Sequence, residues 1–357
     1  MGNRLEGRGL VAMFDIGHPA HVHLFKNPIG ILKDRGWRVV VLARDKEVAF
    51  SLLDAYGIEY EKGTRAGTGV SGKAKELFAW RSKAEELIAR EGVDVVASVG
   101  SPASALAARR RGVPHIAFND TETGGIQRLL YYPASVGVYT PEWLLSDYGE
   151  KQERYRGLHD LSYLRPERFA PDSGVREDLG LSRGEDYAIA RFVSWDATHD
   201  WGAEKSGSGG QKKIVELLSS RMRVFVSAES ALPSELERYR MELPPERFHD
   251  ALSEAAVVVG DGATTATEAA VLGTPSLYVS PFAERLGCLV FLESRGLLRT
   301  ASDISSGLEK LGSILDSLDG VQAAMVASRR ELLDSTIDVA AFIADKCDFA
   351  HRSRDSR

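Results

Sequence analysis

Gly260-Asp261-Gly262-Ala263-Thr264-Thr265-Ala266-Thr267-Glu268-Ala269-Ala270-Val271-Leu272-Gly273-Thr274-Pro275 is the stretch whose reading decides the fold. The apolar run Ala255 to Val259 precedes it, and Ser276-Leu277-Tyr278-Val279 follows it. The pattern is strand, glycine and hydroxyl turn, short helix, glycine stop, strand. That is one βαβ unit with its turn at the carboxyl end of a strand. Such a turn offers backbone N–H groups and hydroxyls to an anion, and the helix dipole adds partial positive charge. Gly260, Gly262, Ala263, Thr264 and Thr265 are therefore expected to meet a nucleotide diphosphate. Glu268, read as lying in the first turn or so of the helix, is expected to accept hydrogen bonds from a ribose diol.

Outward from this unit the same rhythm recurs. Short apolar runs at Leu10 to Phe14 and Arg38 to Leu42 flank a helical stretch that ends at Gly36. Further strands are predicted at 58–60, 93–99, 113–118 and 136–139, with helices at about 46–56, 73–91, 101–111 and 122–131. The second half predicts strands near 187–193, 222–226, 247–249, 255–259 and 276–279. Its helices are predicted near 210–220, 234–240, 265–272 and 285–296. Near-continuous apolar strands alternating with helices predict parallel sheets covered on both faces, an α/β chain of two Rossmann-like domains. The polar segment Arg165 to Arg183 reads as the linker region. The expected domains are 1–165, 166–335 and a C-terminal helix and tail, 336–357, returning towards the first. A final helix pair is predicted at about 305–316 and 321–347.

At 357 residues the chain suits two domains of ordinary size. A net charge of -6 argues against a partner bound through its nucleic-acid backbone. Cys288 and Cys347 lie far apart and without histidines at ligand spacing, which predicts neither a disulfide framework nor a cysteine-based zinc site. No apolar run reaches the roughly 18 residues of a membrane span. The expected location is the cytoplasm, at the inner membrane face if the acceptor is lipid-linked.

Several strand ends carry chemistry. The first strand runs into Asp15-Ile16-Gly17-His18-Pro19-Ala20-His21-Val22-His23. Three histidines in six residues match no standard metal-site spacing, so no metal is expected. Either His18 and His21 line a ligand cleft beside Gly17, one of them as general base, or they cap the helix and fill the loop. At the end of the strand from Val113 to Phe118, Asp120 is a second candidate acid or base, with helix capping as the alternative, and Glu122 suits a helix start. Gly100-Ser101-Pro102 reads equally well as a close-approach turn or a plain helix cap. In the second half, Arg191 lies at a strand end before a loop that carries Trp195, His199 and Trp201 and then a glycine-rich run from Gly202 to Gly210. Those aromatic residues favour a ligand-lining role for the loop, with His199 on the nucleotide sugar.

Asp15 to His21, Ala43-Arg44-Asp45 and Gly260 to Glu268 together resemble the GT-B superfamily of nucleotide-sugar enzymes, and within it the family called domain of unknown function 354. The resemblance spans about residues 10 to 345 and implies two Rossmann-like domains facing a central cleft. It implies a metal-independent glycosyltransferase with no cofactor, UDP as the expected nucleotide, and an unknown glycan or lipid-linked acceptor. The chain is similar to the peptidoglycan N-acetylglucosaminyltransferases, whose comparison puts Glu268 on the ribose, His21 at the amino-terminal Gly-His loop and Asp120 at an acidic cleft position. Arg191 would then neutralise the leaving diphosphate. It is also similar to the non-hydrolysing UDP-N-acetylglucosamine 2-epimerases, but Gly100-Ser101 stands where those carry a Gly-Asp turn. An epimerase or hydrolase and a non-catalytic nucleotide-sugar-binding protein are the alternative readings. A peripheral membrane contact, for a lipid-linked acceptor, is expected near Trp80 and Arg81.

Overall fold

The structure is a computed structural model that describes residues 9–46, 48–63, 69–122, 125–192, 209–228 and 231–355. Its chain divides into two compact units, residues 1–163 with 337–357, and residues 164–336.

The first unit opens with β1 (Val11–Ile16), α1 (Pro19–Asp34), β2 (Arg38–Ala43), α2 (Ala49–Ala55) and β3 (Glu61–Lys62). It continues with α3 (Gly69–Glu91), β4 (Val95–Ser98), α4 (Pro102–Arg111), β5 (His115–Phe118) and α5 (Gly125–Tyr131). After β6 (Gly137–Pro141) and β7 (Gln152–Tyr155) comes the short α6 (Leu161–Leu164). All seven strands form one parallel sheet in the order β3-β2-β1-β4-β5-β6-β7. Every residue of β1, β4, β5 and β6 is buried, as strands covered on both faces require.

Within α1, Pro28 supplies no N–H to the carbonyl of Leu24, one turn earlier. The Ser162 hydroxyl donates to that carbonyl at 2.7 Å instead, and Asn27 Nδ2 donates to the Ser162 carbonyl at 2.8 Å. The proline thus creates an orphan acceptor that fastens the segment around residue 162 to the first helix.

The second unit contains α7 (Val175–Asp178), β8 (Tyr187–Phe192), α8 (Gly209–Ser219), β9 (Arg223–Ala228) and α9 (Phe248–Glu254). Next come β10 (Val257–Gly260), α10 (Ala263–Leu272), β11 (Ser276–Val279), α11 (Gly287–Ser294) and β12 (Arg299–Ala301). Helices α12 (Ile304–Asp316) and α13 (Leu318–Ser335) close the unit, and α14 (Val339–Asp355) belongs to the first. The five strands form a parallel sheet, β12-β11-β10-β8-β9. Phe192, Ile214, Val226, Val257, Leu277 and Leu311 lie in the core on one face of it.

Several sequence expectations change. Residues 247–249 are helical rather than a strand, because Pro244-Pro245 leads into a 3-10 turn that runs on into α9. The third strand of the first unit is residues 61–62, not 58–60. Strands β7 and β12 escape the apolar pattern because, as edge strands reading Gln-Glu-Arg-Tyr and Arg-Thr-Ala, they are covered less fully. The helix expected over 321–347 is two helices. Thr336 is extended, and Asp338 starts α14 by accepting from the Ala341 N–H at 3.1 Å. Trp80 forms no surface patch: it is buried and donates its indole N–H to Asp15 Oδ2 at 3.1 Å. The strongly exposed apolar side chains of α5 are Ile126 and Leu129. No helix among the described residues is long and apolar enough to cross a membrane.

Candidate functional site

In the second unit, Gly260 ends β10 beside Arg191 of β8. A Cβ at Gly260 would stand 1.7 Å from the Arg191 carbonyl oxygen, so only glycine lets the two backbones meet there. The Asp261 N–H donates to that same carbonyl at 3.2 Å. Gly262 is the N-cap of α10 in an extended conformation, and no side chain caps the helix. The start of α10 is thus left uncapped beside Arg191, where Gly260, Gly262 and Thr265 border a narrow crevice with Val258 and Leu277 behind. Arg191 Nη1 donates to Ser227 Oγ of β9 at 3.2 Å, which orients the guanidinium. Uncapped amides, a helix dipole and a guanidinium thus lie together at this turn, features that favour negative charge.

Glu268 lies elsewhere than at the exposed start of that helix. It is the sixth residue of α10, on the second turn, and is 4% exposed. His249 Nε2, on α9, donates to its Oε1 at 2.9 Å. Phe169 meets the ring of His249 edge-on at 6.2 Å. A ribose role for Glu268 would share a carboxylate already engaged by an imidazole. His199, with Trp195 and Trp201, lies outside the described residues.

The first unit gives its three clustered histidines three different tasks. His18 is the N-cap of α1, its Nδ1 accepting from the Ala20 N–H at 3.2 Å, and Pro19 follows at the first helical position. His21 turns back so that its Nδ1 accepts from the Gly17 N–H at 3.2 Å. Its remaining ring nitrogen then carries the proton, which makes the neutral His21 a donor at Nε2 rather than a base. Burial, followed by the neighbouring His18, pulls this imidazole down to about 3 against the opposing charge of Asp120. His23 is core: it stacks on Tyr163 at 5.4 Å, and Tyr56 Oη lies 3.3 Å from its Nδ1. No group of three or more His, Cys, Asp or Glu among the described residues is arranged to hold a metal ion.

Asp120, just beyond β5, meets a residue that the sequence pattern did not single out. His159 Nδ1 lies 3.1 Å from Asp120 Oδ2, and the Thr121 hydroxyl donates to Oδ1 at 3.2 Å. Burial pushes the Asp120 carboxyl up, but the charge and hydrogen bond of His159, with the Thr121 hydroxyl, outweigh it and hold it down at about 2. Tyr155 stacks parallel to His159, with ring centroids 6.4 Å apart. Burial, then the charges of Asp120 and Asp160, push its phenol well above the ordinary tyrosine range. Both His159 Nε2 and Tyr155 Oη are buried with no hydrogen-bond partner among the described residues. The signal in the sequence is slight: Gly157-Leu158-His159-Asp160-Leu161 sets two titratable residues between apolar ones just ahead of a short helix.

The hallmark arginine Arg44 pairs with Glu76 at 2.7 Å and lies over the Trp80 ring. Asp15 faces inward, where Ser104 Oγ donates to it at 2.5 Å in addition to Trp80. At Gly100-Ser101 both readings are present: Ser101 Oγ accepts from the Ser104 N–H at 3.4 Å with Pro102 at the first helical position, and a Cβ at Gly100 would stand 2.8 Å from the Tyr131 ring.

Solved structures share this fold over almost the whole chain. UDP-GlcNAc 2-epimerase from Neisseria meningitidis, bound to UDP-GlcNAc, is similar at 12% identity and a TM-score of 0.68, over 94% of this chain and 99% of that one. MurG of Acinetobacter baumannii is similar at 17% identity and a TM-score of 0.60, over 96% and 99%. The glycosyltransferase VinC, in complex with dTDP, is similar at 11% identity and a TM-score of 0.63, over 96% and 100%. At such identities the likeness establishes the α/β GT-B fold and nothing finer. A sequence comparison with curated proteins finds no match. A family model does match, over residues 10–334, and the chain belongs to that family, described as protein of unknown function (DUF354).

Proposed function

We propose that this protein is a metal-independent glycosyltransferase that moves a sugar from a nucleotide-diphosphate sugar, with UDP as the expected nucleotide, to a glycan or lipid-linked acceptor. The observation that carries the reading is the uncapped start of α10 beside Arg191. The amides of Ala263 to Thr265, the Thr264 hydroxyl and Arg191 would hold the diphosphate. As the glycosidic bond to phosphate breaks, the same donors would take up the negative charge of the leaving group, a preorganised electrostatic role. Glu268 would reach the ribose from its hydrogen bond with His249. The first unit would contribute the group that takes the proton of the attacking hydroxyl, drawn from the residues around Asp120.

A thermal-shift screen with UDP, GDP, CDP and dTDP and their common sugars tests the donor site, since a ligand that binds the native state raises the midpoint by mass action. Stabilisation by one nucleotide, lost in Arg191→Ala, is the expected result. No shift from any of them would remove the nucleotide reading. Release of nucleotide with no acceptor present, at a rate that no added acceptor raises, would favour the epimerase or hydrolase alternative. Binding without turnover under any condition would favour a binding protein.

A further inference from the structure

We propose that His159, oriented by Asp120, accepts the proton of the attacking hydroxyl, and that His21 serves as a hydrogen-bond donor instead. The inference rests on the glycosyl-transfer reading and deepens it.

The first argument is the direction of the protons. With the Gly17 N–H pointing at its Nδ1, neutral His21 has no lone pair left to receive a proton. His159 has the opposite arrangement. Its Nδ1–H donates to the Asp120 carboxylate at 3.1 Å, which leaves the lone pair on Nε2. A carboxylate that fixes the tautomer of an imidazole and stabilises the cation it becomes is the arrangement that activates a hydroxyl nucleophile.

The second argument is the lone pair itself. His159 Nε2 is buried and has no hydrogen-bond partner among the described residues. A desolvated acceptor left unsatisfied is costly and uncommon in a folded protein. Tyr155 Oη, on a ring parallel to that of His159, shares that condition. The third argument is rigidity. The segment bearing His159 is pinned on one side by the Ser162 hydroxyl on the Leu24 carbonyl and by Asn27 on the Ser162 carbonyl. On the other side the Ile337 N–H donates to the Arg156 carbonyl at 2.8 Å. Leu158 and Leu161 are fully buried around it.

In the step, the O–H bond of the acceptor breaks and its proton goes to His159 Nε2. The acceptor oxygen forms the new bond to the anomeric carbon, and the electron pair of the old carbon–oxygen bond leaves with the diphosphate. Asp120 stays ionised and acts as a positioning residue.

The test combines two readouts on the full chain. Histidine-selective 15N NMR, assigned with His159→Gln and His21→Gln, reads the tautomers of the eight imidazoles at neutral pH. The expected spectrum has His159 bearing its proton on Nδ1 and His21 on Nε2, with the His159 Nδ1 proton moving upfield in Asp120→Asn. The second readout is UDP release from UDP-N-acetylglucosamine. His159→Gln should lower it by roughly a hundredfold or more, with the melting midpoint and UDP affinity retained. A His159 protonated on Nε2, or His159→Gln turning over at the wild-type rate, overturns the assignment. A donor that binds without any turnover favours the binding-protein reading and overturns the transfer role of His159. A wild type that binds no nucleotide overturns the functional reading itself, and the transfer role of His159 with it.

Discussion

The turns that follow β1 and β10 occupy equivalent places, each at the carboxyl end of a parallel strand and the start of a helix, yet they treat the helix start in opposite ways. Unit one closes it: His18 caps α1, Pro19 removes one amide from the count, and His21 takes the Gly17 N–H. Unit two leaves it open, with glycine at the N-cap of α10 and no side chain reaching back. Orphan amides at a helix start must find acceptors. Where the chain supplies its own, the turn becomes a rigid holder of imidazoles. Where it supplies none, the amides stay open to solvent or to a ligand. The contrast lies in which side chains stand at the cap, because the backbone path is shared.

The contrast can be broken or sharpened experimentally. Gly260→Ala should be the most damaging change, since its methyl would collide with the Arg191 carbonyl. We expect a loss of at least about 4 kcal/mol in denaturant unfolding. A folded, near-native variant would show that the β8 and β10 backbones need not meet so closely.

Acid should act on unit one through His115, which is fully buried between Ser98 Oγ at 2.9 Å and Ser135 Oγ at 2.8 Å. Burial lowers this imidazole from 6.5 to about 3. The unfolded chain therefore takes up a proton near pH 6.5 that the folded one refuses until about pH 3. Stability is full above pH 6.5 and falls as pH drops through that window, by about 1.4 kcal/mol per pH unit. Urea unfolding at pH 7 and pH 5 should differ by about 2 kcal/mol from this group, and His115→Asn should flatten the difference.

Gly262→Asp tests the open turn directly. Its side chain would meet only ordinary contact with Arg191 Cγ, so the fold tolerates it. Supplying the missing cap should stabilise α10 by a few tenths of a kcal/mol. The same change should cost the nucleotide roughly tenfold or more in affinity, about 1.4 kcal/mol. Calorimetry showing unchanged affinity would mean that the start of α10 holds no anion. The smallest effect is expected at the closed turn, where His18→Ala should lower stability by about 0.5–1 kcal/mol, read as a shift of the melting midpoint.

Much of this was legible in the sequence for one reason: strands, turns and caps are short-range. Runs of buried Val and Ala announced β1, β4, β5 and β10, and Gly262 and Gly273 marked the two ends of α10 in place. Edge strands such as Gln152–Tyr155 were hidden because one covered side leaves no apolar run to read. The partnerships of the titratable side chains were hidden as well. Asp120 reaches His159 rather than capping a helix, and Glu268 lies against His249. The sequence by itself determined two parallel α/β sheets and a glycine turn with an uncapped helix start after β10, since spacing and residue type suffice for both. Only the tertiary structure decided which imidazole keeps a lone pair. That depends on the sheet order, on a proline that leaves the Leu24 carbonyl for Ser162, and on which buried donor each ring nitrogen meets.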